Sequence, residues 1–286
     1  MKNKLMQFSG HFMTIACLAI FSLPAYSADG KLIGTAGLMQ VEGSGGGGIV
    51  PWATLAGYDS QEQISVSVAA TQVDLDDYRL ATISGAVSFY DSVELSLAQQ
   101  RFDLKTLGGE IKQNIIGVKY KVYGDVVFSD FPQISVGVQH KLLEDGIIAN
   151  ALGADSDSSG TDFYVAMTKV HLGAIAGYNT VWNLTARATK ANEMGLLGFG
   201  SQTDNDYDIM LEASAGILFS RHFAVGMEYR QKPDNLGLGE EDWIDYFVTY
   251  IPSKSINLTL AWADLGSIAG AQKQSGLYFS INGQLW

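Results

Sequence analysis

From residue 30 onward the chain alternates apolar and polar positions with a period of two. Ile64, Val66, Val68 and Ala70 interleave with Ser65, Ser67, Ala69 and Thr71. Ile83, Gly85, Val87 and Phe89 stand against Thr82, Ser84, Ala86 and Ser88, and Ile256, Leu258, Leu260 and Trp262 against Asn257, Thr259, Ala261 and Ala263. A longer series, Tyr207, Ile209, Leu211, Ala213, Ala215, Ile217 and Phe219, does the same around Asp208, Met210, Glu212, Ser214 and Gly216. Such alternation is a strand with two chemically different faces. No segment after the N-terminus carries a comparable helical stripe, so the fold expected is all-β.

The pattern predicts about fourteen strands, with twelve as the lower count. They fall near 30–41, 52–58, 62–73, 79–89, 93–103, 111–123, 132–142, 161–171, 180–190, 207–219, 222–231, 243–251, 255–264 and 276–286. Connections after even-numbered strands are mostly tight, as at Tyr90-Asp91-Ser92, Ser220-Arg221-His222 and Pro252-Ser253-Lys254. Those after odd-numbered strands are longer and polar, as at 144–160, 191–206 and 231–242. An even count with short turns on one rim and long loops on the other is the plan of a transmembrane antiparallel up-and-down β-barrel, its short turns periplasmic.

The N-terminus agrees with that destination. Lys2 and Lys4 precede an apolar run from Phe12 to Leu23, too short to span a bilayer, and Ala25-Tyr26-Ser27 offers small residues for cleavage after Ser27. The expected organisation is a cleaved signal peptide at 1–27 and a single barrel domain at 28–286. The one cysteine, Cys17, lies within the apolar run, so the mature chain has no thiol and no disulfide framework.

Cleavage would remove two lysines and no acid, taking the formal charge from −12 to −14. An acidic chain of this kind is no partner for nucleic acid. Charged residues make up 17% of the sequence, against about a quarter in soluble domains. No later apolar run is long enough for a membrane helix, which leaves the closed barrel as the way to satisfy the backbone in lipid. The partners expected are outer-membrane lipid, lipopolysaccharide and the barrel-assembly machinery. The last strand, closed by aromatics, resembles the signal that machinery reads, with Phe279 and Trp286 as its carriers. Trp286 is out of phase with the apolar series 277–285, which calls for a bulge or an inward Trp286.

The stretches GKLIGTAGLMQVEGSGGGGIVPWATLAGY (30–58), SGTDFYVAMTK (159–169), LTARATKANEMGLLGFG (184–200), VGMEYRQKPDN (225–235) and EDWIDYFVTYIPSKSINLTLAWADLG (241–266) carry a resemblance. The chain resembles the uncharacterised Gram-negative outer-membrane barrel family, domain of unknown function 3034. That resemblance implies an outer-membrane location and brings no reaction, ligand or catalytic residue.

Three motifs invite sharper chemistry. The run Gly43–Gly48 lacks the Lys-Ser/Thr and helix of a phosphate loop, so a flexible surface loop or strand-edge kink is expected. The segment from Asp155 to Asp162 begins like a calcium loop, but Ala166 stands where its bidentate Glu belongs. His140, His171 and His222 fall at expected strand ends or turns, with nothing to fix a nucleophile beside a base. Neither a cofactor nor a metal is expected, and a membrane-embedded hydrolase is the least favoured reading.

Mid-strand charges say more. Glu94, Lys119, Lys121, Lys141, Arg187, Glu212, Glu228, Arg230 and Asp245 lie on the phase opposite the apolar residues. A Lys or Arg turned to lipid near the midplane would cost about 2–4 kcal/mol, so these are lumen-facing candidates. Either they line an aqueous pore or they pair across strands in a closed barrel. The strand count favours the pore, which gives a passive porin-like channel for small solutes; the alternative is a closed structural or adhesive barrel displaying acidic loops. Trp52, Tyr90, Phe128, Trp182, Tyr246, Tyr250 and Trp262 suit interfacial girdles.

Overall fold

The computed structural model describes residues 31–285, so the expected signal peptide and Trp286 lie outside the described residues. The alternating segments form twelve strands: β1 (Ile64–Leu75), β2 (Tyr78–Phe89), β3 (Val93–Leu104), β4 (Glu110–Tyr123), β5 (Gln133–Leu143), β6 (Ser159–Ile175), β7 (Tyr178–Thr189), β8 (Asp208–Ser220), β9 (Phe223–Arg230), β10 (Trp243–Ser253), β11 (Ile256–Asp264) and β12 (Ser275–Gln284). Each pairs antiparallel with its sequence neighbours, and β1 closes on β12 with Ser67 opposite Gln284 and Thr71 opposite Ser280. A short helix, α1 (Ile147–Ala151), sits in the β5–β6 connection.

The faces are inverted relative to a soluble barrel. Ser65, Ser67, Thr71, Thr82, Ser84, Gln100, Gln113, Thr249 and Thr259 are buried inside, while Leu97, Ile116, Val165, Leu211, Leu260, Trp262, Leu277 and Phe279 are exposed outside. An apolar exterior on a sheet without edges is stable in hydrocarbon and costly in water. This is an outer-membrane β-barrel. Tyr246, Tyr250, Trp262, Tyr90 and Phe128 are exposed on it, as a girdle requires, whereas Trp52 is buried in the interior.

The wall uses the lower strand count. The first two candidate segments, 30–41 and 52–58, do not join it; residues 39–59 are all buried inside the barrel. Because a pair of strands is missing, the parity of turns is unchanged. The β2–β3, β6–β7, β8–β9 and β10–β11 turns remain on one rim, although β1–β2 on the other is only Asp76-Asp77 and β4–β5 runs through 124–132.

Candidate functional site in the barrel lumen

Residues 31–63 enter and leave the lumen at the same rim. Lys31 pairs with Asp91 of the β2–β3 turn at 2.7 Å. At the other end Asp59 accepts hydrogen bonds from Ser65 at 2.9 Å, Ser88 at 2.5 Å and the Asp91 amide at 2.7 Å. Lys121 also reaches this rim, 2.5 Å from Asp91, rather than the interior. Between those anchors the segment folds into a small hairpin with bridges Met39–Gly45 and Gly46–Pro51.

A backbone without ladder partners must find them elsewhere, since a buried unpaired amide is costly. The wall's inward side chains supply them. Glu94 accepts from the amides of Gly45 (3.0 Å) and Ala56 (2.6 Å). Lys119 donates to the carbonyls of Gly45 (2.5 Å) and Thr54 (2.9 Å) and lies 3.7 Å from Glu94. Gln133 and Ser135 both donate to the Ala53 carbonyl at 2.6 Å, and Thr168 accepts from the Ala53 amide at 2.8 Å. Glu228 accepts four bonds, from the amides of Gly48 (2.6 Å) and Ile49 (2.7 Å), from Trp52 Nε1 (3.1 Å) and from Ser214 (2.7 Å). Asp245 lies opposite Glu228 in the β9–β10 ladder, with no basic side chain within ion-pair distance among the described residues.

The glycine run is therefore a packing device. A Cβ on Gly46 would stand 2.4 Å from the Val50 carbonyl oxygen, and one on Gly47 would stand 1.8 Å from Glu228 Oε1. The expected surface loop or strand-edge kink at 43–48 is corrected here to a buried, glycine-rich hairpin in the lumen.

Toward the long-loop end, six charges form a buried network. Arg187 lies 2.6 Å from Glu212, 3.1 Å from Asp162 and 3.2 Å from Glu42. Lys141 lies 2.5 Å from Glu42 and 2.7 Å from Asp162. Arg230 lies 2.8 Å from Glu42 and 3.5 Å from Glu212. Three cations meet three acids, so the group is neutral and each charge has opposite neighbours. In this conformation the charges are packed and paired, and the water-filled lumen favoured by the strand count is occupied. Asp162 and Glu42 were not among the sequence candidates. Asp162 stood within the calcium-like segment, and Glu42 is the only charged residue between Lys31 and Asp59.

The three histidines are engaged separately. His140 Nδ1 is 2.9 Å from Thr161 Oγ1, His171 accepts from Trp182, and His222 lies between the Ile251 carbonyl and the Arg221 guanidinium. None of these bonds joins a serine or a carboxylate.

Long loops cover the other mouth. Met194, Leu196, Leu197, Phe199 and Ile268 are buried there and belong to the main apolar cluster. Lys232 ties them together, 2.9 Å from Glu193, 2.8 Å from Glu240 and 2.5 Å from the Ser267 carbonyl. Glu193 and Met194 hold left-handed φ of 46° and 61°, a conformation that packing must maintain in residues other than glycine. Burial pushes the Glu193 carboxyl from 4.5 up to about 7, against the pull of Lys232 and with a further push from Glu240. The closed cap therefore binds a proton more tightly than the opened one. Its stability is fullest below about 4.5 and falls as pH rises to about 7. Amide exchange across 190–200, corrected for intrinsic rates, should be faster at pH 8 than at pH 5, and Glu193→Gln should abolish the difference.

A family model covers both wall and lumen segment, matching residues 35–282 under the description "Protein of unknown function (DUF3034)". The chain belongs to this family. No curated protein matches it. Among solved structures, the chain is similar to a KdgM porin at 10% identity and a TM-score of 0.48, covering 76% of this chain and 98% of that one. A NanC porin gives 10% identity and a TM-score of 0.47, covering 76% and 97%. The outer membrane protein Omp33 of Acinetobacter baumannii gives 9% and 0.46, covering 78% and 99%. The family membership carries no reaction, and likenesses this distant bear on no residue of the lumen.

Proposed function

We propose that this protein is an outer-membrane channel for small solutes, held shut by its own N-terminal segment. The observation that carries this reading is the chemistry of the seat. The segment's backbone is held by hydrogen bonds exchanged with inward side chains, its amides donating to Glu94 and Glu228 and its carbonyls accepting from Lys119, and both of its ends lie on one rim. Polar contacts of this kind can be exchanged for water one by one, at a net cost of about 1.5–3 kcal/mol each where the wall group is charged. With both ends on one rim, the segment can leave toward that side without threading the chain through the barrel. The network at Glu42 favours a second reading, a permanently closed structural barrel, because buried ion pairs are strongly destabilising to break.

A single substitution separates the two. Gly46→Val places a branched side chain against the Val50 carbonyl and the Pro51 backbone. Overpacking costs about 1–3 kcal/mol, which converts to a roughly five- to 150-fold larger unseated population. Liposomes carrying Gly46→Val should swell faster in a small neutral sugar than those carrying the parent. Unchanged swelling, with the variant correctly assembled, would favour the structural barrel.

A further inference from the structure

Within the six-charge network, five members belong to the wall and one to the lumen segment. Lys141, Arg187 and Arg230 face only two wall acids, Asp162 and Glu212. The third negative charge is the Glu42 carboxylate, one oxygen of which lies 2.5 Å from Lys141 Nζ and the other 2.8 Å from Arg230 and 3.2 Å from Arg187. Withdrawing the segment would leave a cradle of net charge +1 on the wall of the opened lumen. In an open lumen such a cluster of cations draws anions to it. Two guanidinium groups and an ammonium spaced around a planar, two-oxygen anion match the geometry of carboxylate recognition.

We propose that Glu42 is an internal stand-in for a carboxylate-bearing solute, and that Lys141, Arg187 and Arg230 form the binding site for it. This rests on the channel reading and adds the class of solute. A solute carboxylate and the seated Glu42 compete for the same charges, so a carboxylate from solution favours the unseated state by mass action.

The test is rescue. Glu42→Ala empties the cradle, and the melting of the compact, detergent-resistant barrel band is followed in acetate, inorganic phosphate, chloride and acetamide at matched ionic strength. Acetate should raise the midpoint by several degrees over chloride, and acetamide, which has the shape without the charge, should not. Rescue by phosphate and not acetate, or by none of the four, would overturn the carboxylate assignment. Should Glu42→Ala fail to assemble, the same comparison is made on Glu42→Ser, whose short side chain also leaves the cradle empty. In the parent, acetate should speed amide exchange across 40–48 relative to chloride, and equal rates would count against the proposal. The channel reading stands or falls separately. Acetate rescue with an impermeable Gly46→Val barrel would end the channel and keep the site; a permeable barrel without rescue would do the reverse.

Discussion

Arg187→Gln should cost the barrel about 3–5 kcal/mol, the penalty for removing one partner of a buried charge network. Arg187 is 1% exposed and is the cation shared by Glu42, Asp162 and Glu212. Glutamine retains two donors and loses the charge, leaving three acids with Lys141 and Arg230 alone. Gln139, which accepts from Arg187 at 2.8 Å, loses its donor as well. The loss is read as a lower midpoint for conversion of the compact band, or as a shift in a urea titration in detergent. In a water-filled lumen the same charge would be screened and its removal would cost about 0–1 kcal/mol. A loss that small would mean that the lumen is wet and the network weak.

The second large effect is local. Glu228→Ala removes the acceptor for two backbone amides and the indole N–H of the lumen segment. The indole keeps Ser214 as acceptor, whereas each of the two amides left without a partner costs about 1–3 kcal/mol, so the seat weakens by about 2–6 kcal/mol. Relief of the Asp245 carboxylate opposite offsets part of this. The wall ladders of β9 are untouched, so the compact band should persist. Amide exchange across 45–52 should rise about a hundredfold, since 1.4 kcal/mol is a factor of ten. Exchange unchanged in the segment would mean that Glu228 does not hold it.

Much of the wall could be read from the sequence because the bilayer enforces its chemistry. Leu97, Val165 and Leu260 face lipid, so their neighbours had to be polar or small, and the period of two shows through. The same force placed Glu94, Arg187 and Arg230 on the inner phase. What the strand pattern could not reveal was the company those charges keep, because that depends on a segment far away in the chain. Residues 30–41 have the length and apolar content of a wall strand. Whether they pair with a neighbour or enter the lumen is decided by acceptors such as Glu94 and Glu228, which local propensity does not contain. The glycine run misled for a related reason, since glycine marks both a loose loop and a place where backbones touch. Trp52 looked like a girdle residue, yet its indole donates to Ser214 and Glu228 inside. A lone acid in an otherwise uncharged, glycine-rich stretch, as Glu42 is, was the available hint.

Single-channel recording in a planar bilayer tests the central claim most directly, comparing the parent with a chain in which residues 36–56 are replaced by a short Gly-Ser linker. The two ends of the segment lie on one rim, so the linker closes without disturbing β1. The parent should stay closed for most of the record, and the shortened chain should give stable open steps. A steadily conducting parent, or an assembled but silent shortened barrel, would contradict closure by the N-terminal segment.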